Sequence, residues 1–350
     1  MVSKEEVLKA LRSVTDPELR KDLVELNMVQ EVRVDGDRVA FTLNLTTPAC
    51  PLRAKIEQEA RAAVASLRGV GSVEMKVGAQ VAATHPFGDK EVLKGVKNIV
   101  AVASGKGGVG KSTVAVNLAL ALAGSGAKVG VLDADVYGPS IPLMMGVRER
   151  PEVRGETIIP PVAHGLKVAS LGFFYKDETP LVWRGPMVAG AVRQLLTQVD
   201  WGDLDYLVVD LPPGTGDSGL TLAQTVPLGG VVIVTTPQEA ALNIATKAVG
   251  MFRKLNVPIL GMVENMSYFV CPHCGERSFI FSSGGGRKAA AVLDVQFLGD
   301  IPLHPRIREQ SDLGVPIVVA APDSPESIAF KEVAFRVAGM ISMVAYNQAQ

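Results

Sequence analysis

The residues best suited to chemistry in this sequence lie between Gly105 and Cys274. Gly105-Lys106-Gly107-Gly108-Val109-Gly110-Lys111-Ser112, followed by Thr113, has the spacing G-x-x-x-x-G-K-[ST] of a phosphate-binding loop. Glycines at 107, 108 and 110 let the backbone turn so that successive N–H groups converge on an anion, and a helix starting at Ser112 adds the positive end of its dipole. In that setting Lys111 reaches the β and γ phosphates and Ser112 ligates magnesium. A glycine-rich turn that binds nothing is the alternative, but the eight-residue pattern and its strand-loop-helix setting agree. Val131-Leu132-Asp133-Ala134-Asp135 then places two carboxylates where ligands sit in doubly wound folds, one of them suited to acting on water. Tyr206-Leu207-Val208-Val209-Asp210 ends another apolar strand in the expected magnesium-side carboxylate, and Pro212-Pro213-Gly214-Thr215-Gly216 has the composition of a switch that senses the γ-phosphate. Both aspartate strands also admit a plainer reading, as helix caps at strand-helix turns.

The cysteines suggest a second chemistry. Cys271-Pro272-His273-Cys274, with a glycine following, is a knuckle in which two thiolates can face one metal. A tetrahedral sulfur site needs four ligands and the chain has no second C-x-x-C, so a full set requires two copies. Spacing alone leaves an iron-sulfur cluster, zinc and a metal-free dithiol open; His273 is open as a ligand too, although a histidine inside such a knuckle is more often a spacer. Cys50 lies after a strand and before a helix, where a helix N-terminus favours a reactive thiolate or transient cluster ligand; a buried inert cysteine is the other reading. So few thiols fit metal or redox chemistry in a reducing compartment better than a disulfide scaffold.

These groups need elements to hold them. At 350 residues the chain is long enough for two domains. Its 47% hydrophobic residues fit an α/β sheet covered on both faces. We expect a small α+β domain over 1–81, a linker over 82–97 around His85-Pro86-Phe87-Gly88-Asp89, and a nucleotide-binding domain over 98–350. In the first, Val7, Leu8, Leu11 and Val14 recur at helical spacing, and Asp16-Pro17 reads as a helix cap followed by proline. A hairpin turns at Asp35-Gly36, a helix runs from Leu52 to Leu67, and Val73, Met75 and Val77 form a last strand. In the second, apolar strands at Ile99–Ala103, Val129–Leu132, Leu207–Leu211, Val231–Thr235, Ile259–Val263 and Ile317–Ala320 alternate with helices. That rhythm predicts a doubly wound, mostly parallel sheet. Phe330, Val333, Ala334, Val337 and Ile341 recur on one face of a C-terminal helix expected to dock on it, and Gly284-Gly285-Gly286-Arg287 reads as a lead into a helix.

Some functions are disfavoured. Thirty-five basic and 36 acidic residues, without a Lys/Arg cluster, argue against nucleic-acid binding. No apolar stretch approaches the roughly 20 residues that span a membrane, the C-terminal helix lacks the charge of a basic anchor, and the N-terminal segment lacks a signal-peptide pattern. The expectation is a cytoplasmic protein without nucleic-acid or membrane partners.

Lys106 through Thr113 together with Asp133-x-Asp135 resemble the deviant Walker A ATPases, the group of MinD, ParA and the arsenite-pump ATPase. The resemblance implies an ATP-bridged homodimer in which Lys106 reaches the partner copy's nucleotide in the manner of an arginine finger, Asp135 orients the attacking water, and Asn265 contacts adenine. Val270-Cys271-Pro272-His273-Cys274-Gly275, preceded by Glu264-Asn265-Met266-Ser267-Tyr268, resembles the Mrp/ApbC iron-sulfur cluster carrier ATPases, as do Asp135-Val136-Tyr137-Gly138-Pro139-Ser140 and Leu211 through Asp217. It implies a [4Fe-4S] cluster bridging the two cysteine pairs, delivered from a donor to apoproteins. Asp16-Pro17-Glu18-Leu19 and Leu45 through Pro51 resemble a MIP18-like domain. A positioning ATPase and a zinc-stapled ATP-binding scaffold are the competing functions.

Overall fold

The computed structural model describes residues 2–16, 21–48, 52–84, 93–136, 138–174, 185–214, 216–271 and 273–349. Contacts divide the chain into two compact units, Met1–Ala82 with Ala338–Gln350, and Ala83–Val337. The tail thus groups with the first unit, whereas the sequence reading kept it in the nucleotide-binding domain. At 24 residues the C-terminal helix is about 36 Å long, more than one sheet flank covers. Near its end Tyr346 donates to Glu25 (3.3 Å).

In the first unit α1 (Lys4–Leu11) starts in a capping box: the Ser3 hydroxyl accepts from the Glu6 N–H and the Glu6 carboxylate accepts from the Ser3 N–H. β1 (Val29–Asp35) and β2 (Arg38–Leu45) form the expected hairpin, with Asp35 opposite Arg38. Val39, Phe41, Leu43 and Leu45 are all buried, the period of two that the sequence displays. α2 (Arg53–Ala65) buries Ile56, Ala60 and Val64 in the same core, and β3 (Ser72–Ala79) runs parallel to β2. Asp16 stands in a two-residue strand, Thr15–Asp16, that pairs with Lys21–Asp22. Its partners 17–19 in that expectation, like Cys50, lie outside the described residues.

The second unit is built on a sheet whose main strands are β4 (Ile99–Ser104), β5 (Val129–Asp133), β6 (Leu166–Ser170), β7 (Tyr206–Asp210), β8 (Gly230–Thr235), β9 (Ile259–Glu264) and β10 (Phe297–Asp300). Their spatial order is β6-β5-β7-β4-β8-β9-β10, all parallel, with Val162–Ala163 adding an antiparallel edge beside β6. Every residue of β4 is buried, yet only Ile99, Ala101 and Ala103 belong to the core shared with α4 (Gly185–Gln198), α5 (Asp217–Thr225) and α6 (Glu239–Lys254). Alternate residues point to opposite faces, so both faces are covered. The α/β, doubly wound reading therefore holds.

The sheet also corrects the strand list. Ile317–Ala320 is a helical turn, not a strand: its amides return to Pro316 and Ile317, and Val318 N–H donates to Asn117 Oδ1 (3.3 Å). Four apolar residues carry no period that separates a strand from a buried turn, and the preceding proline favours helix initiation. The sheet strands not anticipated are β6, β10 and the short edge strand Val162–Ala163.

Candidate functional site

Strand register sets a polar row along the C-terminal edge of the sheet. Ser170 stands beside Asp133, Asp133 beside Asp210, Thr235 beside Glu264, and Glu264 beside Asp300. Successive strands leave β4 in opposite directions, toward β5 and β6 and then toward β8 to β10, so the segment after β4 opens at the switch point where doubly wound folds bind ligands.

That segment is the glycine-rich loop, residues 105–110, leading into α3 (Lys111–Gly124). Two of its glycines are required by what surrounds them. A Cβ on Gly105 would lie 2.6 Å from the carbonyl carbon of Ile244, and Gly110 holds φ +78° where a Cβ would run into the Asn265 amide. Gly110 is the N-cap of α3 and offers no side-chain acceptor, which leaves the first-turn N–H groups for an anion. α3 itself buries ten of its 14 residues, including Val114, Leu118 and Leu122, so the loop rests on a fixed base.

Lys111, 6% exposed, lies among the carboxylates: Nζ donates to Asp210 Oδ1 (2.5 Å) and is 3.6 Å from Asp135 Oδ2. Ser112 Oγ donates to the other oxygen of Asp210 (2.5 Å). A hydroxyl and a carboxylate converging at the start of the helix are the hard oxygen donors magnesium takes, and an ammonium beside them matches phosphate, so these residues fit a magnesium nucleotide. Asp133 is fully buried; Oδ1 accepts from Asp135 N–H (3.1 Å), and Oδ2 from Ile141 N–H and Ser170 Oγ (3.2 Å each). Burial, and then the charge of Asp210 beside it, push its carboxyl up to about 7 against the pull of those amides and of Lys111. Burial likewise raises Asp210, opposed by Lys111 and Ser112. With one buried ammonium among three buried carboxyl groups, their ionised forms carry excess negative charge, which a divalent cation would offset.

Lys106 is exposed and, among the described residues, forms no ion pair. Val109 is buried, and Asn117 Nδ2 donates to the Thr113 carbonyl (2.9 Å). Gly214, in the proposed switch, donates to the Ser104 carbonyl (2.8 Å), which ties that segment to the loop strand. Tyr137 and Thr215 lie outside the described residues.

Asn265 turns its amide onto the loop: Nδ2 donates to the Val109 carbonyl (2.8 Å), and its N–H donates to the Thr235 carbonyl. The sequence reading gave it an adenine contact; in this structure it braces the phosphate loop. Glu264, fully buried, was quoted in the sequence without a role. It accepts from Ser267 Oγ (2.6 Å), from Gly284 N–H (3.3 Å) and from Gly286 N–H at the start of α7 (Gly285–Val292). Gly284 to Gly286 is therefore an amide nest for this carboxylate as well as a lead into a helix. The signal was present: Ile259-Leu260-Gly261-Met262-Val263 ends in an acid, as the strands before Asp133 and Asp210 do.

The cysteine knuckle is the tip of a ribbon in which Phe269–Val270 pairs antiparallel with Arg277–Ser278. Cys271 N–H donates to the Glu276 carbonyl (2.9 Å) and Gly275 N–H to the Cys271 carbonyl (2.8 Å). Cys271 is half-buried and Cys274 exposed, neither in a disulfide. The backbone N–H of Cys274, then that of His273, hold the Cys271 thiol below its ordinary value, which favours the thiolate a metal takes. Among the described residues no group of three or more His, Cys, Asp or Glu is arranged to hold a metal, so the pair has no third ligand there.

A loop of this shape at the switch point of this sheet, with Lys111, Ser112 and Asp210 converging on it, defines a P-loop NTPase. Residues 95–338 match the ParA-type NUBPL iron-transfer P-loop NTPases, and residues 4–75 match the iron-sulfur cluster assembly proteins. The chain belongs to the NUBPL iron-transfer P-loop NTPase family. It is 51% identical to an iron-sulfur cluster carrier protein of Synechocystis sp. over 99% of each chain. It is also 51% identical to the iron-sulfur cluster transfer protein NUBPL of Dictyostelium discoideum, over 74% of this chain and 81% of that one. Among solved structures, a nucleotide-binding protein of Archaeoglobus fulgidus in complex with ADP is 41% identical, with a TM-score of 0.59 over 67% of this chain and 92% of that one. The Pyrococcus furiosus cell division ATPase MinD is 25% identical, with a TM-score of 0.52 over 69% of this chain and 98% of that one.

Proposed function

We propose that this chain is an ATP-dependent iron-sulfur cluster carrier: a homodimer that holds a [4Fe-4S] cluster between its cysteine pairs and passes it from a donor to apoproteins, with ATP hydrolysis switching the dimer. The observation that carries this reading is one unit holding both a phosphate loop and, six residues from the Asn265 brace, a cysteine knuckle that, among the described residues, offers two ligands. The names of the relatives and the ADP bound to the Archaeoglobus protein support it.

In this reading Gly105 to Thr113 cradle the phosphates, Lys111 neutralises the β and γ oxygens, and Ser112 and Asp210 hold magnesium, with Asp133 behind them. Asp135, 7% exposed and beside Lys111, orients the attacking water, and Lys106, free to leave its own loop, supplies charge to the nucleotide of the other copy. Asn265 meets the adenine with the part of its amide not engaged by Val109. Two thiolates per chain complete a four-sulfur set in the dimer, and iron-sulfur is favoured over zinc by the family. Cys50, in the MIP18-like domain (1–81) ahead of the linker (82–97) and the ATPase domain (from 98 on, apart from the Ala338–Gln350 tail that groups with the first unit), is a candidate thiol for handing the cluster on. Unpaired Cys271 and Cys274 suit a reducing compartment, and in this reading the protein is cytoplasmic, without a nucleic-acid or membrane partner; among the described residues no helix is long and apolar enough to cross a membrane.

The test is anaerobic reconstitution with iron and sulfide. Wild-type protein acquires iron-sulfur absorbance, and Cys271→Ala or Cys274→Ala loses it. Tightly bound zinc that iron does not displace, or a cluster retained by both variants, would overturn the reading.

A further inference from the structure

The segment joining the two sites is fastened at both ends. Asn265 fixes its start to the phosphate loop through the Val109 carbonyl. Met266 follows at φ +55°, a conformation that side chains other than glycine rarely adopt. Ser267 N–H then donates to the Ile301 carbonyl, Leu303 N–H to the Tyr268 carbonyl, and the knuckle ribbon begins at Phe269. Within this strap the Ser267 hydroxyl sits between two carboxylates, 2.6 Å from Glu264 Oε1 and 3.2 Å from Asp300 Oδ1. Glu264 is anchored in turn by the amides of Gly284 and Gly286, and Asp300 pairs with Arg287 (3.2 Å). Arg277, across the ribbon from Val270, stacks 4.5 Å over the Tyr268 ring. Buried and part-buried hydrogen bonds thus run from the Val109 carbonyl through Asn265, Ser267 and Glu264 to the base of the knuckle.

We propose that Ser267 and Glu264 are positioning residues that couple the two sites, locking residues 264–268 so that the reactivity of Cys271 and Cys274 follows what the phosphate loop holds. Among the described residues neither hydrogen-bonds the loop, and neither is a cysteine of the knuckle. Coupling of this kind is a difference in free energy between nucleotide states, and removing the lock removes the difference without removing either site. The inference rests on the proposed reading of the loop as an ATP site and of the cysteines as ligands.

The experiment uses metal-free full-length protein carrying Cys50→Ser, so that only the paired cysteines report. Their rate of modification by a maleimide is measured with magnesium and ADP, and with magnesium and a non-hydrolysable ATP analogue. The parent protein differs by about fivefold or more between the two states, in the usual range of coupled sites. Ser267→Ala brings that ratio close to one while the analogue still binds, Glu264→Gln reduces it, and Ser267→Thr, which keeps the hydroxyl, restores it. A ratio undiminished in Ser267→Ala, or no nucleotide effect in the parent, overturns the proposal. Neither result depends on a cluster, so the anaerobic iron and sulfide measurement can fail while the coupling stands, or the reverse.

Discussion

Asp133 concentrates the electrostatic problem of the site in one side chain. Its register partner Asp210 is also buried, so two carboxylates share one edge of the sheet with a single ammonium. Burial wins over the amides and leaves Asp133 titrating near neutrality, at about 7. The folded state then keeps a proton that the unfolded chain has released above the ordinary carboxylate value of 3.8. Stability from this group is present at low pH and declines as pH rises through that window, by a few kcal/mol at most. Thermal melts of nucleotide-free, magnesium-free protein should show a midpoint falling from about pH 5 to about pH 8, and Asp133→Asn should flatten the fall. Equal slopes in both proteins would remove Asp133 as the cause. The two lysines separate by role at the same scale. Lys111 is buried against Asp210 whereas Lys106 is exposed, so Lys111→Ala should abolish ATP binding while Lys106→Ala keeps it. Hydrolysis in Lys106→Ala should fall by a factor of roughly 10³, the scale of a charge supplied to the transferring phosphoryl group. Nucleotide titration and phosphate release read the two effects apart.

Elements were legible where a period or a spacing was long enough to count. The hairpin around Asp35-Gly36 and the loop from Gly105 to Ser112 are both found where the sequence puts them, because turn chemistry and glycine spacing are local. Ile317–Ala320 was misread because its neighbours, not its residues, decide between strand and helix. β6 and β10 escaped notice for a related reason: each takes its place through pairing with β5 or β9, which no local pattern encodes. The brace from Asn265 to Val109 crosses 156 residues of chain, and Glu264 takes amides 20 and 22 residues further on, so only the acid-terminated strand hinted at them. The loop's dependence on a left-handed residue gives a prediction for the element as a whole. Gly110→Ala places a Cβ at φ +78° against the Asn265 amide, at a backbone cost of about 1–2 kcal/mol before any clash is relieved. Its melting midpoint should drop by several degrees and nucleotide affinity should fall with it; Gly107→Ala, open around its Cβ, should melt as wild type does.

At the scale of the whole molecule the argument turns on ligand counting. Each chain brings Cys271 and Cys274 to the knuckle, and among the described residues no third ligand joins them, so a four-sulfur site in the proposed function draws on two chains. Cluster loading and assembly are then one equilibrium, since binding that requires two copies stabilises the pair by mass action. Reconstituted protein should contain about two iron and about two sulfide per chain. In light scattering it should run at twice the chain's 36.9 kDa. Stripping the iron with a chelator in the absence of nucleotide should return it to one chain, and adding ATP should restore the pair in wild type more strongly than in Lys106→Ala. Four iron on a particle of single-chain mass would mean that one chain completes its own ligand set, and the shared-cluster arrangement would have to be given up even if ATP hydrolysis and cluster delivery both survived.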